Sequence, residues 1–182
     1  KRKFEKIVSK GIKDIKNEEF KKVVLSRKET LNLVHFDIIK AFENLVQLYP
    51  STFVYCFYHP KIGTWLGATP EQLVKANDTE FETIALAGTQ KDIGSNEVIW
   101  HKKEQEEQQF VTDYIVEKIK KVVSEVKVSE PYSLKAGSIW HIRTDISGTL
   151  HSSSNMQQVI QLLHPTPAVC GLPKDESKEF IL

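Results

Sequence analysis

Four strand-like runs follow one another between residues 52 and 87 with only short turns between them. No other feature limits the possible folds as strongly. The runs cover 52–58, 62–67, 71–76 and 80–87, with Pro60-Lys61-Ile62-Gly63 and Asn77-Asp78 as turn signals. Parallel neighbours need a crossover of a dozen or more residues, so strands this closely spaced pair antiparallel. Around them the period changes. Residues 4–18 and 36–48 repeat apolar residues at helical spacing, 97–127 reads as one long helix, and 154–163 reads as another. Residues 21–31 read as a strand whose Val23-Val24-Leu25 centre suits burial on both faces, and strand-like residues return over 132–150. Three prolines in 164–173 exclude regular helix or central strand there. The predicted class is α+β, with helices packed on a mainly antiparallel sheet in a single domain over residues 1–182. The chain begins and finishes inside amphipathic helical patterns, around Phe4–Ile15 and Ser177–Leu182. The expectation is therefore a partial domain, cut at its N-terminus and lacking a C-terminal part.

Charge narrows the partners. Twenty-five Lys and Arg stand against 24 Asp and Glu, a net charge of +1, which gives no reason to expect nucleic acid or a membrane surface. No apolar run approaches the roughly 20 residues of a membrane-spanning helix. No signal-peptide core follows Lys1-Arg2-Lys3-Phe4. Two cysteines, Cys56 and Cys170, are too few for a disulfide framework, so a reduced, cytoplasmic protein is expected.

The chemistry is suggested by charged residues in apolar places. The long helix carries a stripe of Phe110, Val111, Tyr114, Ile115, Ile119, Val122, Val123 and Val126; followed backward at three- and four-residue steps, it reaches Glu107, Glu104 and Trp100. Either the stripe stops at Phe110 and the glutamates are solvated, or two inward carboxylates hold a hard cation such as Mg²⁺. Glu71 follows Thr69-Pro70 and shares strand parity with Leu73. If Leu73 points inward, Glu71 sits at the sheet edge facing the interior, where burial raises its pKa and keeps an acid protonated. If not, it is an exposed turn residue. Lys22 opens the Val23-Val24-Leu25 run and shares a face with Val24. It is either an ordinary strand-edge lysine or a desolvated amine able to act as a base. His141 and His164 fit core histidines with backbone partners. Nothing places Cys170 at a helix N-terminus beside a base, as a thiolate nucleophile requires. Neither a paired CxxC, a phosphate-binding glycine loop nor HExxH is present.

Taken in order, six runs resemble the chorismate-utilising enzymes: isochorismate synthases, salicylate synthases, anthranilate synthase large subunits and aminodeoxychorismate synthases. They are Lys22-Val23-Val24-Leu25-Ser26-Arg27, Leu66-Gly67-Ala68-Thr69-Pro70-Glu71, Leu86-Ala87-Gly88-Thr89, Lys103 to Val111, Trp140-His141, and Leu162-Leu163-His164-Pro165-Thr166-Pro167-Ala168. Together they cover nearly the whole chain. The resemblance implies a large, mainly antiparallel sheet sandwich flanked by helices, incomplete in this chain. It implies chorismate as substrate, Mg²⁺ as cofactor and a monomer. By position, Lys22 resembles the base that activates water and Glu71 the acid that protonates the departing C4 hydroxyl. Glu107 resembles a Mg²⁺ ligand, with Glu104 added on helical geometry alone. Gly88, Thr89, His141 and Ala168 resemble residues lining the substrate pocket.

A lysine at position 22 marks members that use water, whereas ammonia-using members carry another residue there. Ala87 stands where aminodeoxychorismate synthases often have a lysine nucleophile. The resemblance therefore favours an isomerase, a Mg²⁺-dependent isochorismate synthase, in either menaquinone or siderophore biosynthesis. Salicylate synthase shares the lysine, and a non-catalytic chorismate-binding module stays open as a third reading. Departures are Gln90, where many members have arginine, and the absence of the arginine, glycine-rich strand pair and further glutamates that the family carries beyond the last matched run. On that ground the 182-residue chain alone is expected to be inactive.

Overall fold

The computed structural model describes residues 2–95, 97–152 and 154–182. Helix α1 (Arg2–Lys16) leads into a two-residue strand β1 (Lys22–Val23). An exposed stretch then reaches α2 (Ile38–Leu48), whose start is fixed by Asp37: its carboxylate accepts from the backbone N–H groups of Ile39 and Lys40, both at 3.0 Å. Strands β2 (Phe53–His59) and β3 (Gly63–Thr69) form an antiparallel hairpin. The short β4 (Lys75–Asn77) and long β5 (Glu80–Lys91) follow, then α3 (Lys102–Ile119). After these come β6 (Val123–Val128), β7 (Tyr132–Ala136), β8 (Ile139–Leu150), α4 (Met156–Leu163), β9 (Gly171–Leu172) and α5 (Lys174–Ile181).

The main sheet has five strands in the order β4-β5-β8-β6, with β7 also on β8, and every pairing is antiparallel. Strands β7 and β6 share one edge of β8: the first pairs with 139–143 and the second with 146–150. Alternation along β5 sends Phe81, Thr83, Ala85 and Ala87 to one face, where their β8 partners include Ile142, Thr144 and Ile146. Helices α3 and α4 cover that face. Val111, Ile115, Ile119, Val159 and Leu163 are buried there against Phe81, Ala85 and Ile146. Each such side chain contributes about 1.5–3 kcal/mol relative to exposure, and this layer sets the height of α3 above the sheet. Helices on antiparallel sheet are the α+β class expected.

The local patterns failed in three places. The strand expected over 21–31 is only Lys22–Val23, because its partner β9 is itself two residues long and lies between Pro167 and Pro173. The helix expected over 97–127 spans 102–119. Val123 and Val126 leave it to pair with the open edge of β8, where β-branched residues pack better than in a helix. Residues 71–74 are not a strand, and Leu73 instead offers its carbonyl to the Thr83 hydroxyl at 2.7 Å.

Candidate active site

Lys22 is held by its backbone from both sides. Strand β9 pairs with β1, the N–H groups of Lys21 and Val24 donate to the carbonyls of Leu172 and Cys170 at 2.7 Å each, and the buried Ser177 hydroxyl of α5 donates to the Lys22 carbonyl at 3.0 Å. Gly171 makes this approach possible, because a Cβ there would collide with the Lys22 carbonyl and the Ser177 side chain. The Lys22 side chain is only 10% exposed, and its ammonium lies 3.0 Å from the Glu107 carboxylate of α3. The distance is that of an ion pair, but the angles make no hydrogen bond. Nζ is the buried side-chain nitrogen left without a hydrogen-bond partner among the described residues. A desolvated cation with unused donors is unfavourable for folding alone. It is a natural contact for an oxygen of a ligand.

Glu71 completes this group. Its backbone N–H donates to the Thr69 hydroxyl at 3.0 Å, which turns the chain after Pro70. Burial pushes its carboxyl above the usual carboxylate range, and the nearby Lys22 ammonium pulls it part of the way back. An amine and a carboxyl inclined to stay protonated thus lie within electrostatic reach. Glu107 is 36% exposed, so one end of the group is open to water.

A second group lies one helical turn along α3. The register of β5 on β8 slips between Ala87 and Thr89, a bulge centred on Gly88. Ala87 pairs with Ile142, but Thr89 pairs with His141, so the bulge moves Thr89 to the opposite sheet face from Ala87. There the Thr89 hydroxyl is 3.1 Å from His141 Nδ1, which also lies 3.2 Å from the Gly88 carbonyl. A carbonyl only accepts, so this contact requires the proton on Nδ1 and leaves Nε2 as an acceptor. Burial lowers the His141 pKa, opposed by that backbone bond, which favours the neutral ring. Gly88 has φ +72°, and a Cβ there would meet the Glu104 carbonyl at 3.1 Å and Ile142 Cδ1 at 3.2 Å. Gly88→Ala is expected to destabilise the fold by about 1–3 kcal/mol, from left-handed strain plus this contact. Urea denaturation checks it.

Glu104 connects the two groups through its backbone and Cβ, which lie against Gly88. Its carboxylate turns back to accept from the His101 N–H at 3.1 Å, closing the start of α3. Ala168 is half-buried and packs against the main core. The residues that sequence reasoning missed are Gln108, Thr112 and Thr144, a buried polar triad in the α3–β8 contact. The signal was present: 108, 111, 112, 115 and 119 are helically spaced, but taking Phe110 as the stripe's edge rotated it. Phe110 is only half-buried.

Mg²⁺ uses one or two carboxylates, completed by substrate oxygens and water. Glu107 suits it as a partly open carboxylate, while Glu104 has one oxygen committed to His101. No cluster of three or more His, Cys, Asp or Glu side chains suited to a metal occurs among the described residues. The donor set fits a cation that takes most of its shell from elsewhere. Open hollows of about 490 and 470 Å³ lie around Glu82, Ser147 and Lys75, and include none of these residues. With Lys22 and Glu107 in contact, nothing fits between them. Among the described residues no helix is long and apolar enough to cross a membrane.

A family model described as chorismate binding enzyme matches residues 1–182. Isochorismate synthase EntC of Escherichia coli (strain K12) is 29% identical over 191 residues, covering 98% of this chain and 48% of that protein. Anthranilate synthase component 1 of Aeropyrum pernix is 28% identical over 191 residues, covering 98% and 43%. A Bacillus anthracis structure assigned as a 2,3-dihydroxybenzoate-specific isochorismate synthase, DhbC, aligns with a TM-score of 0.85 at 27% identity, over 98% of this chain and 52% of that one. The chain spans about half the length of these relatives. Identities this similar do not choose between their chemistries; the residues must.

Proposed function

The chain belongs to the chorismate binding enzyme family, and we propose that its residues serve the isochorismate synthase reaction, the addition of water to C2 of chorismate with departure of the C4 hydroxyl. The observation that carries this is Lys22, a buried amine with free donors, within electrostatic reach of a carboxyl whose pKa burial raises. In its neutral amine form, Lys22 takes a proton from the attacking water and becomes the ammonium. Glu71 gives a proton to the leaving hydroxyl, which departs as water, so the atoms balance. Base and acid each supply about 10²–10⁴ in rate. Thr89 and neutral His141 offer hydroxyl and imidazole hydrogen bonds to the substrate's polar edge, and the Gly88 bulge orients them. Bound Mg²⁺, held on this chain by Glu107, would neutralise a substrate carboxylate and fix the ring. The reading places the protein in the cytoplasm, in menaquinone or siderophore biosynthesis.

The test is incubation of the natural full-length protein with chorismate and Mg²⁺. Isochorismate is the expected product. Accumulation of salicylate, seen by its fluorescence, would replace the reading with a salicylate synthase, and binding without turnover would replace it with a chorismate-binding module. The 182-residue chain by itself is expected to turn over no chorismate in the same assay, because its metal donors are incomplete. Robust turnover by these 182 residues would show that the donors present suffice.

A further inference from the structure

We propose that Gln108 is a positioning residue, whose amide fixes the rotation of α3 and so aims the Glu107 carboxylate at Lys22. The inference rests on the reading above for its functional consequence, but its geometry stands alone. Gln108 is 3% exposed, and its side-chain amide lies 2.9 Å from the Thr112 hydroxyl on its own helix and 2.8 Å from the Thr144 hydroxyl on β8. One bond therefore braces the amide against α3, and the other crosses to the central sheet. Both threonines are buried, at 7% and 2% exposure. Hydroxyls donate or accept, so both bonds survive either orientation of the amide.

The remaining α3–sheet contact is apolar, through Val111, Ile115 and Ile119 against residues such as Ile146. Apolar contact is non-directional and sets the height of a helix better than its rotation. Hydrogen bonds have narrow distances and angles. Same-shaped apolar groups at these positions would be nearly neutral for stability or better, so stability alone gives little reason for a buried polar triad here. Its location gives one, because Gln108 is the next residue after Glu107. A rotation of about 10° moves a side-chain tip 5–6 Å from the helix axis by about 1 Å. Such a shift is enough to part an ammonium and carboxylate now at 3.0 Å. The close approach of Glu104 to Gly88 holds the helix one turn earlier, and the Gln108 bond adds a directional contact beside Glu107 itself.

The experiment is a crystal structure of Gln108→Leu in the full chain, with steady-state kinetics of the same protein. The expected result is a Lys22 Nζ–Glu107 Oε1 separation beyond about 4 Å, outside ion-pair range. With it, kcat should fall roughly 10- to 100-fold, as expected for a misplacement near 1 Å, with a much smaller change in KM. Thr112→Val, which keeps the bond to the sheet, should hold both readouts near their parent values. If Gln108→Leu does not fold, Thr144→Val removes the same crossing bond from the sheet side. A separation that stays near 3.0 Å overturns the proposal, whatever happens to turnover, because the variant would then have lost only structural support. If the parent protein does not convert chorismate, the functional reading fails while the separation still decides the role of Gln108.

Discussion

Lys22→Met is expected to reduce chorismate turnover by at least about 10²–10⁴-fold, the contribution of a positioned base, while leaving the fold as stable as before or more so. The two effects have one origin. The ammonium is nearly inaccessible, approaches Glu107 at 3.0 Å and has no hydrogen-bond partner, so folding strips it of water with little return. Methionine has similar length and no charge. Removing one member of a fully buried ion pair would strand the other, but Glu107 is 36% exposed and can hydrate. Unfolding free energy from urea denaturation should therefore stay level or rise by up to about 1–3 kcal/mol, the cost of an unsatisfied buried polar group. Loss of turnover together with loss of stability would make Lys22 structural. Turnover near the parent rate would remove it from the chemistry altogether.

Glu71→Gln preserves shape and hydrogen bonding but cannot donate a carboxyl proton, and turnover should fall by about 10²–10⁴-fold. Its pH behaviour gives a second, independent reading. Burial raises the Glu71 pKa above its ordinary value of 4.5, with the Lys22 charge opposing. A carboxyl raised on folding contributes stability that is fully present below its unfolded pKa and lost as pH rises through its folded one. Glutamine has no such dependence. Parent and variant should thus be alike in acid, with the variant gaining relative stability as pH rises toward neutrality. Denaturation curves at about pH 4 and pH 7, bracketing the ordinary carboxylate range, measure it. The opposite slope would mean that attraction to Lys22 outweighs burial and that Glu71 is an ordinary paired carboxylate. It could then not remain an acid near neutral pH.

Much of this was legible from residue order. The β2–β3 hairpin and helices α2 and α4 stand within a few residues of where apolar period and turn residues put them. These signals are local: a strand or a helix can be read from neighbours a few residues apart. The runs around Lys22, Glu71 and Glu107 could be matched without knowing their arrangement. Where a local pattern failed, a distant partner had decided the matter. The open edge of β8 ended α3 at Ile119 and drew Val123–Val128 into the sheet. The bulge at Gly88 reversed the face on which Thr89 lies. The first turn of α3 occupied an oxygen of Glu104 that sequence spacing had left for a metal.

Residue order by itself determined which ionisable side chains this protein has and, for Lys22 and Glu107, the kind of element that carries them. Only the tertiary structure decided that Lys22 reaches Glu107, that Ser177 secures the Lys22 backbone from 155 residues away, and that Gln108 joins helix to sheet. The reason is physical. Helical and strand periods follow from local backbone geometry, whereas burial, ion pairing and register are properties of surfaces that meet only after the chain has closed on itself.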